Sequence, residues 1–120
     1  MLQVPIIYEP RFREVNNGKL AGMKNELANK QYPGLFWSSL DYTECYPSGE
    51  SPEILYNRIK SAWLELKTEV LKRGQNIMLV THGGVIEVIL CIENDITFSN
   101  KEKHYGVKAA EMVAVEITKL

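Results

Sequence analysis

Residues able to do chemistry cluster in one stretch, Asn76-Ile77-Met78-Leu79-Val80-Thr81-His82-Gly83-Gly84-Val85-Ile86. Its imidazole is followed by two glycines, whose backbones can turn tightly and approach a ligand closely. If a helix starts there, its free N–H groups make an anion site. Phosphate or a phosphate ester is the chemistry such a turn serves. The competing structural account is a satisfied loop histidine, since short glycine patterns mean little without their structural context. A carboxylate, Glu14, lies in a second polar stretch, Arg11-Phe12-Arg13-Glu14-Val15-Asn16-Asn17-Gly18, which carries an Asn-Asn-Gly turn signal. By itself the Arg13-Glu14 pair reads as solvated surface.

Positioning His82 requires a strand before it and a helix after it. The apolar run at 77–80, bounded by Gly74 and the glycine pair, predicts a strand buried on both faces, as in a parallel sheet. Residues 85–92 (VIEVILCI) predict an apolar helix packed against that sheet, although the β-branched content leaves a strand open. The clearest helix is 51–73, with Ser51 as N-cap, Pro52 in the first turn, Glu53 complementing the dipole and Gly74 as terminator. Leu55, Ile59, Ala62, Trp63, Leu66 and Val70 form its apolar face, and Trp63 is expected in the core.

The remaining segments are weaker. Residues 2–8 (LQVPIIY) suggest an edge strand or lead-in, because Pro5 removes a ladder donor. Leu20, Met23 and Leu27 predict a short helix within 19–30, weakened by Gly22 and ended by Pro33-Gly34. Residues 32–50 lack a period and predict an irregular segment folded over the core or the site mouth, its aromatics arguing for order. Residues 95–104 read as a polar connection with His104 at the surface, and the alternation in 111–118 (EMVAVEIT) predicts a closing strand.

Composition narrows the function. A net charge of -1 with scattered basic residues gives no basis for binding nucleic acid or an anionic membrane. No apolar run approaches the roughly 18 residues of a membrane span, and no basic-then-apolar leader follows Met1, so a cytoplasmic protein is expected. Cys45 and Cys91 show no CxxC or zinc-type spacing. Reduced, non-catalytic thiols are expected, with no metal and no cofactor.

Taken in order, FREVNNG, PSGES (47–51) and THGG (81–84) resemble the histidine phosphatase superfamily, the phosphoglycerate-mutase-like proteins. In that family LREINFG carries an acid, PGGES precedes a long helix and SHGG ends a strand beside the nucleophile. The resemblance implies an α/β fold, here an incomplete three-layer α/β/α phosphoglycerate mutase-like domain occupying residues 1–120 and matching the family's C-terminal portion. It implies that His82 is the second active-site histidine, which helps hold the phosphoryl group in the transition state. Glu14 would be the proton donor to the leaving alcohol, and the Gly83 N–H would support the phosphate. Phosphoryl transfer requires both charge stabilisation and an acid within reach of the leaving group.

The family's covalent acceptor is the histidine of an Arg-His-Gly segment. His82 and His104 are the only histidines here and no Arg-His pair occurs. Asn17 stands where an aromatic is common, and Ala21 where a Glu often precedes the Gly. The chain is therefore expected to be a phosphomonoesterase or phosphomutase by ancestry, inactive in isolation. Its ligand would be a phosphorylated small molecule or free phosphate, and its partner either a second copy or a complementing N-terminal segment. The alternative is a non-catalytic phosphate-binding or protein-interaction domain.

Overall fold

A computed structural model describes residues 3–120. Its regular elements are the helices α1 (Asn25–Gln31), α2 (Pro52–Arg73) and α3 (Gly83–Glu93), with short 3-10 turns at Pro10–Phe12, Gly18–Leu20 and Trp37–Ser39. Helix α2 begins where Ser51 Oγ accepts the Ile54 N–H at 3.1 Å and ends at Gly74, whose φ of 64° closes it through a bond to the Val70 carbonyl. Leu55, Ile59, Ala62 and Trp63 are buried on one face of α2 and meet Val85, Val88, Ile89 and Cys91 of α3. Three β-branched residues in that α3 face are poor helix formers by intrinsic preference, and packing overrides the preference. Trp63 is a core residue whose Nε1 donates to Glu93 Oε1 at 2.6 Å, beside the Lys67 ammonium at 2.7 Å from the same oxygen.

The α/β expectation is corrected: no residue among those described forms a strand, so there is no sheet and no three-layer architecture. The segment 77–81 forms no strand, and instead of being buried on both faces it leaves Met78 72% and Val80 86% exposed. Leu79 alone of that run packs against the core. Residues 111–118 are likewise unpaired, with Met112 and Val113 exposed, and residues 3–8 form no edge strand; Leu2 lies outside the described residues. An apolar run favours burial, but a strand is a property of a pair, because each backbone N–H and C=O needs a partner across a ladder. None of the three segments supplies that ladder to another.

The other departures are local. The helix expected over 19–30 splits, because Gly22 adopts φ 74° and ends the first turn before α1 starts at Asn25. The 32–50 segment is irregular, as its composition predicts, and is tied down by Asn100, whose side-chain amide donates to the carbonyls of Trp37 (2.7 Å) and Leu40 (2.9 Å). Its Trp37 and Tyr46 rings stack at 6.1 Å. Both cysteines are free. No helix among the described residues is long and apolar enough to cross a membrane.

Candidate functional site

His82 is the N-cap residue of α3, with extended backbone, and its side chain makes no cap hydrogen bond. The imidazole is exposed, as is Gly83 at the head of the helix. The first N–H groups of a helix have no partner within it. One of them is used: Gly84 N–H donates to Glu14 Oε2 at 3.2 Å. Glu14 Oε1 accepts its neighbour's N–H, that of Val15, at 3.0 Å. The carboxylate, seventy positions away in the chain, therefore lies at the positive end of α3, where a negative charge is stabilised.

Gly84 is what lets Glu14 approach. A Cβ at that position would stand 2.5 Å from Glu14 Oε1. A Cβ on Gly83 would meet the Val107 carbonyl oxygen at 3.4 Å, an ordinary contact. Beside them, Thr81 Oγ1 donates to the Phe12 carbonyl at 2.5 Å, which joins the two polar stretches through a second bond. Thr81, His82, Gly83 and Ile86 then form one side of a depression of about 340 Å³ whose other side is residues 107–111. Among these is Lys108, an exposed cation on the rim.

The Glu14 loop is held from beneath by residues not singled out from the sequence as site residues. Arg58 of α2 donates through Nη1 to the carbonyls of Arg11 (2.7 Å) and Arg13 (2.9 Å), and through Nη2 to that of Glu14 (3.4 Å). The same guanidinium grips Glu50 in a two-point pair, Nε to Oε2 at 2.9 Å and Nη2 to Oε1 at 2.8 Å. Glu50 Oε1 also accepts the Asn16 N–H at 2.8 Å. Both side chains of the pair are only 10% exposed. Burial alone would raise the Glu50 carboxyl, but the Arg58 guanidinium and the Asn16 N–H outweigh it and hold the group below its ordinary value. A signal was present in the sequence: Glu50 and Arg58 fall eight apart, on the turn that caps α2 and on its next-but-one turn, where both can face one loop.

The turn 16–19 seats directly on 47–50. Lys19 N–H donates to the Pro47 carbonyl at 2.8 Å, and Glu50 N–H to that of Asn16 at 2.9 Å. Thus FREVNNG, PSGES and THGG, apart in sequence, form one contiguous unit. Tertiary structure brings Glu14 to Gly84 and hence to the turn of His82 and Gly83; His104, in the polar connection, takes no part in it.

Comparison with known proteins adds family. The family model for branch 1 of the histidine phosphatase superfamily matches residues 1–119. A 2,3-bisphosphoglycerate-dependent phosphoglycerate mutase of Cytophaga hutchinsonii is 30% identical over 90 residues, which are 72% of this chain and 42% of that protein. A protein of Hydrogenobacter thermophilus named "Putative phosphoserine phosphatase 2" is 26% identical over 102 residues, 83% of this chain and 49% of its own length. The match covers less than half the length of each relative. No solved structure matches it.

Proposed function

The chain belongs to the histidine phosphatase superfamily, and on that premise we propose that Glu14, His82 and Gly83 are its share of a phosphoryl-transfer site acting on phosphomonoesters. What carries the proposal is the Glu14 carboxylate at 3.2 Å from the Gly84 N–H, on the helix end that His82 and Gly83 begin. His82 and the Gly83 N–H would hold the equatorial phosphoryl oxygens as charge develops on them, and Glu14 would give its proton to the leaving alkoxide. The phosphoryl group would pass to the ring nitrogen of a histidine in an Arg-His-Gly segment that this sequence does not contain. Water would then cleave the phosphohistidine, returning phosphate, or an acceptor alcohol would take the group in a mutase.

By this proposal the nucleophile is supplied by a complementing segment that carries Arg-His-Gly, since a second copy of this sequence would cover the exposed Ile77, Met78 and Val80 without adding that segment. A cytoplasmic setting belongs to the same proposal and is supported by two free cysteines, which persist in reducing compartments. Turnover tests it. The purified chain alone should form no phosphohistidine and show no burst with phosphomonoesters, whereas a peptide carrying the Arg-His-Gly segment should restore transfer. In the complemented protein Glu14→Gln should slow poor leaving groups far more than activated aryl phosphates, which need little protonation. Hydrolysis by the chain alone that His82→Ala abolishes would make His82 the nucleophile and overturn the assignment.

A non-catalytic phosphate-binding domain is the second possibility, favoured by the same bond in a different light: Glu14 caps α3 whether or not it ever donates a proton. Anion binding is common to both. Phosphate, sulfate or vanadate should shift the amide signals of Gly83 and Gly84 and the ring signals of His82 in an NMR titration. Glu14→Gln should tighten that binding by about two- to fivefold, because a carboxylate at the helix end competes with the anion at roughly 0.3–1 kcal/mol. Signals unmoved at high-millimolar sulfate would remove the site from both accounts.

A further inference from the structure

On the buried side of α3, away from His82, Glu87 and Cys91 stand one helical turn apart, and the polar connection returns His104 to them. One ligand atom from each, a carboxylate oxygen, the Cys91 sulfur and an imidazole nitrogen, lies within 4.8 Å of the others. The Glu87 carboxylate is nearly buried, at 7% exposure. It accepts the backbone N–H groups of His104 (3.1 Å) and Tyr105 (2.9 Å) at Oε1, and the Cys91 thiol lies 3.6 Å from Oε2. Among the described residues no Lys or Arg forms a salt bridge with it. A buried carboxylate without a cation is costly, and its two backbone donors and the weak Cys91 thiol donor offset only part of that cost.

We propose that Glu87, Cys91 and His104 form a binding site for a zinc-class divalent cation. One sulfur, one imidazole nitrogen and one carboxylate oxygen suit Zn²⁺ and its Co²⁺ surrogate, and are poor ligands for Mg²⁺ or Ca²⁺, which demand oxygen. The cation supplies the positive charge that Glu87 lacks. Three protein ligands leave the fourth tetrahedral position to water. The N–H bonds from His104 and Tyr105 to Glu87 are the outer support that metal-ligating carboxylates ordinarily have, and they already hold the connection against α3. Coordination replaces the Cys91 S–H by a sulfur–metal bond, and the thiol proton leaves to solvent. The spacing hid this site from sequence inspection, because Glu87 and Cys91 are four apart on a helix while His104 follows in an irregular connection, a pattern outside the usual paired-cysteine signatures.

The site and the phosphoryl-transfer proposal stand independently, so either can fail alone. The test uses the reduced, metal-free chain carrying Cys45→Ser, which removes the exposed thiol from competition. Addition of Co²⁺ should give thiolate-to-cobalt charge-transfer absorption saturating at one ion per chain, and Zn²⁺ should bleach it. Cys91→Ser should abolish the absorption. His104→Ala, which keeps the backbone N–H that donates to Glu87, should weaken Zn²⁺ binding by at least about tenfold, the scale on which even outer-shell losses act. Zn²⁺ should raise the thermal midpoint of the Cys45→Ser chain and leave that of the His104→Ala variant in the same background nearly unchanged. No cobalt–thiolate absorption, absorption that survives Cys91→Ser, or Zn²⁺ affinity indifferent to His104→Ala would each overturn the proposal.

Discussion

Arg58→Met is expected to destabilise the chain by roughly 3–5 kcal/mol, the scale on which one partner is lost from a buried ion pair. Arg58 and Glu50 are each 10% exposed, and their pair serves more than itself, because the guanidinium also donates to three carbonyls of the loop that carries Glu14. Removing it strands the Glu50 carboxylate and leaves those carbonyls without a charged donor. Single domains are stable by only about 5–15 kcal/mol, so this variant should sit near the edge of folding at 25 °C. Urea denaturation followed by circular dichroism measures the difference. A loss below about 1 kcal/mol would mean that the pair is solvated and that the Glu14 loop is held by something else.

Acid should expose the same pair. In the native chain the Glu50 carboxyl is held below its ordinary value of 4.5, because Arg58 and the Asn16 N–H outweigh burial. Its contribution is therefore fully present above that value and is lost as pH falls through the lower folded value. Glu93 behaves alike: burial would raise it, while Lys67 and Trp63 lower it by more. Stability should thus decline below about pH 4.5. In Arg58→Met the Asn16 N–H still lowers Glu50 but the guanidinium no longer does, so the ionised carboxylate adds less to stability and less is lost on its protonation. The stability gap between variant and parent should narrow on acidification, and a gap independent of pH would exclude the carboxylate as the origin of the loss.

Gly18→Ala is expected to be nearly as damaging, and for a different reason. Gly18 has φ 57°, and a Cβ there would lie 2.0 Å from the Pro47 carbonyl oxygen and 2.6 Å from Gly49 N, both backbone atoms that no rotamer change can move. Left-handed strain alone costs roughly 1–2 kcal/mol. Gly22→Ala measures that share separately, because Gly22 has φ 74° and open space around it. The Gly18 variant should therefore exceed the Gly22 variant by about 2 kcal/mol or more, with the excess reporting the seat of the 16–19 turn on 47–50. It should also shift the Gly84 amide, since that turn and the Glu14 carboxylate belong to one loop. Equal costs for the two variants would show that the turn is not seated on PSGES.

Much of the helical framework was legible in the sequence. Ser51, Pro52 and Gly74 mark both ends of α2 by local rules, and its apolar face is read from period alone. The glycine pair after His82 likewise marks the start of α3, and the order of FREVNNG, PSGES and THGG was enough to point to the superfamily. These are determined by residues within a few positions of one another, whose interactions do not depend on what else the chain meets. Tertiary structure decided the rest. It left 77–81 and 111–118 unpaired, because an extended apolar run states a preference for burial but cannot supply the second backbone that makes a strand. It carried the Glu14 carboxylate to the Gly84 N–H, and gave Arg58 the carbonyls of Arg11, Arg13 and Glu14 to hold, across gaps of more than forty residues. Contacts of that span arise only when the helices have packed, since a guanidinium or a carboxylate on its own in the sequence is equally suited to solvent.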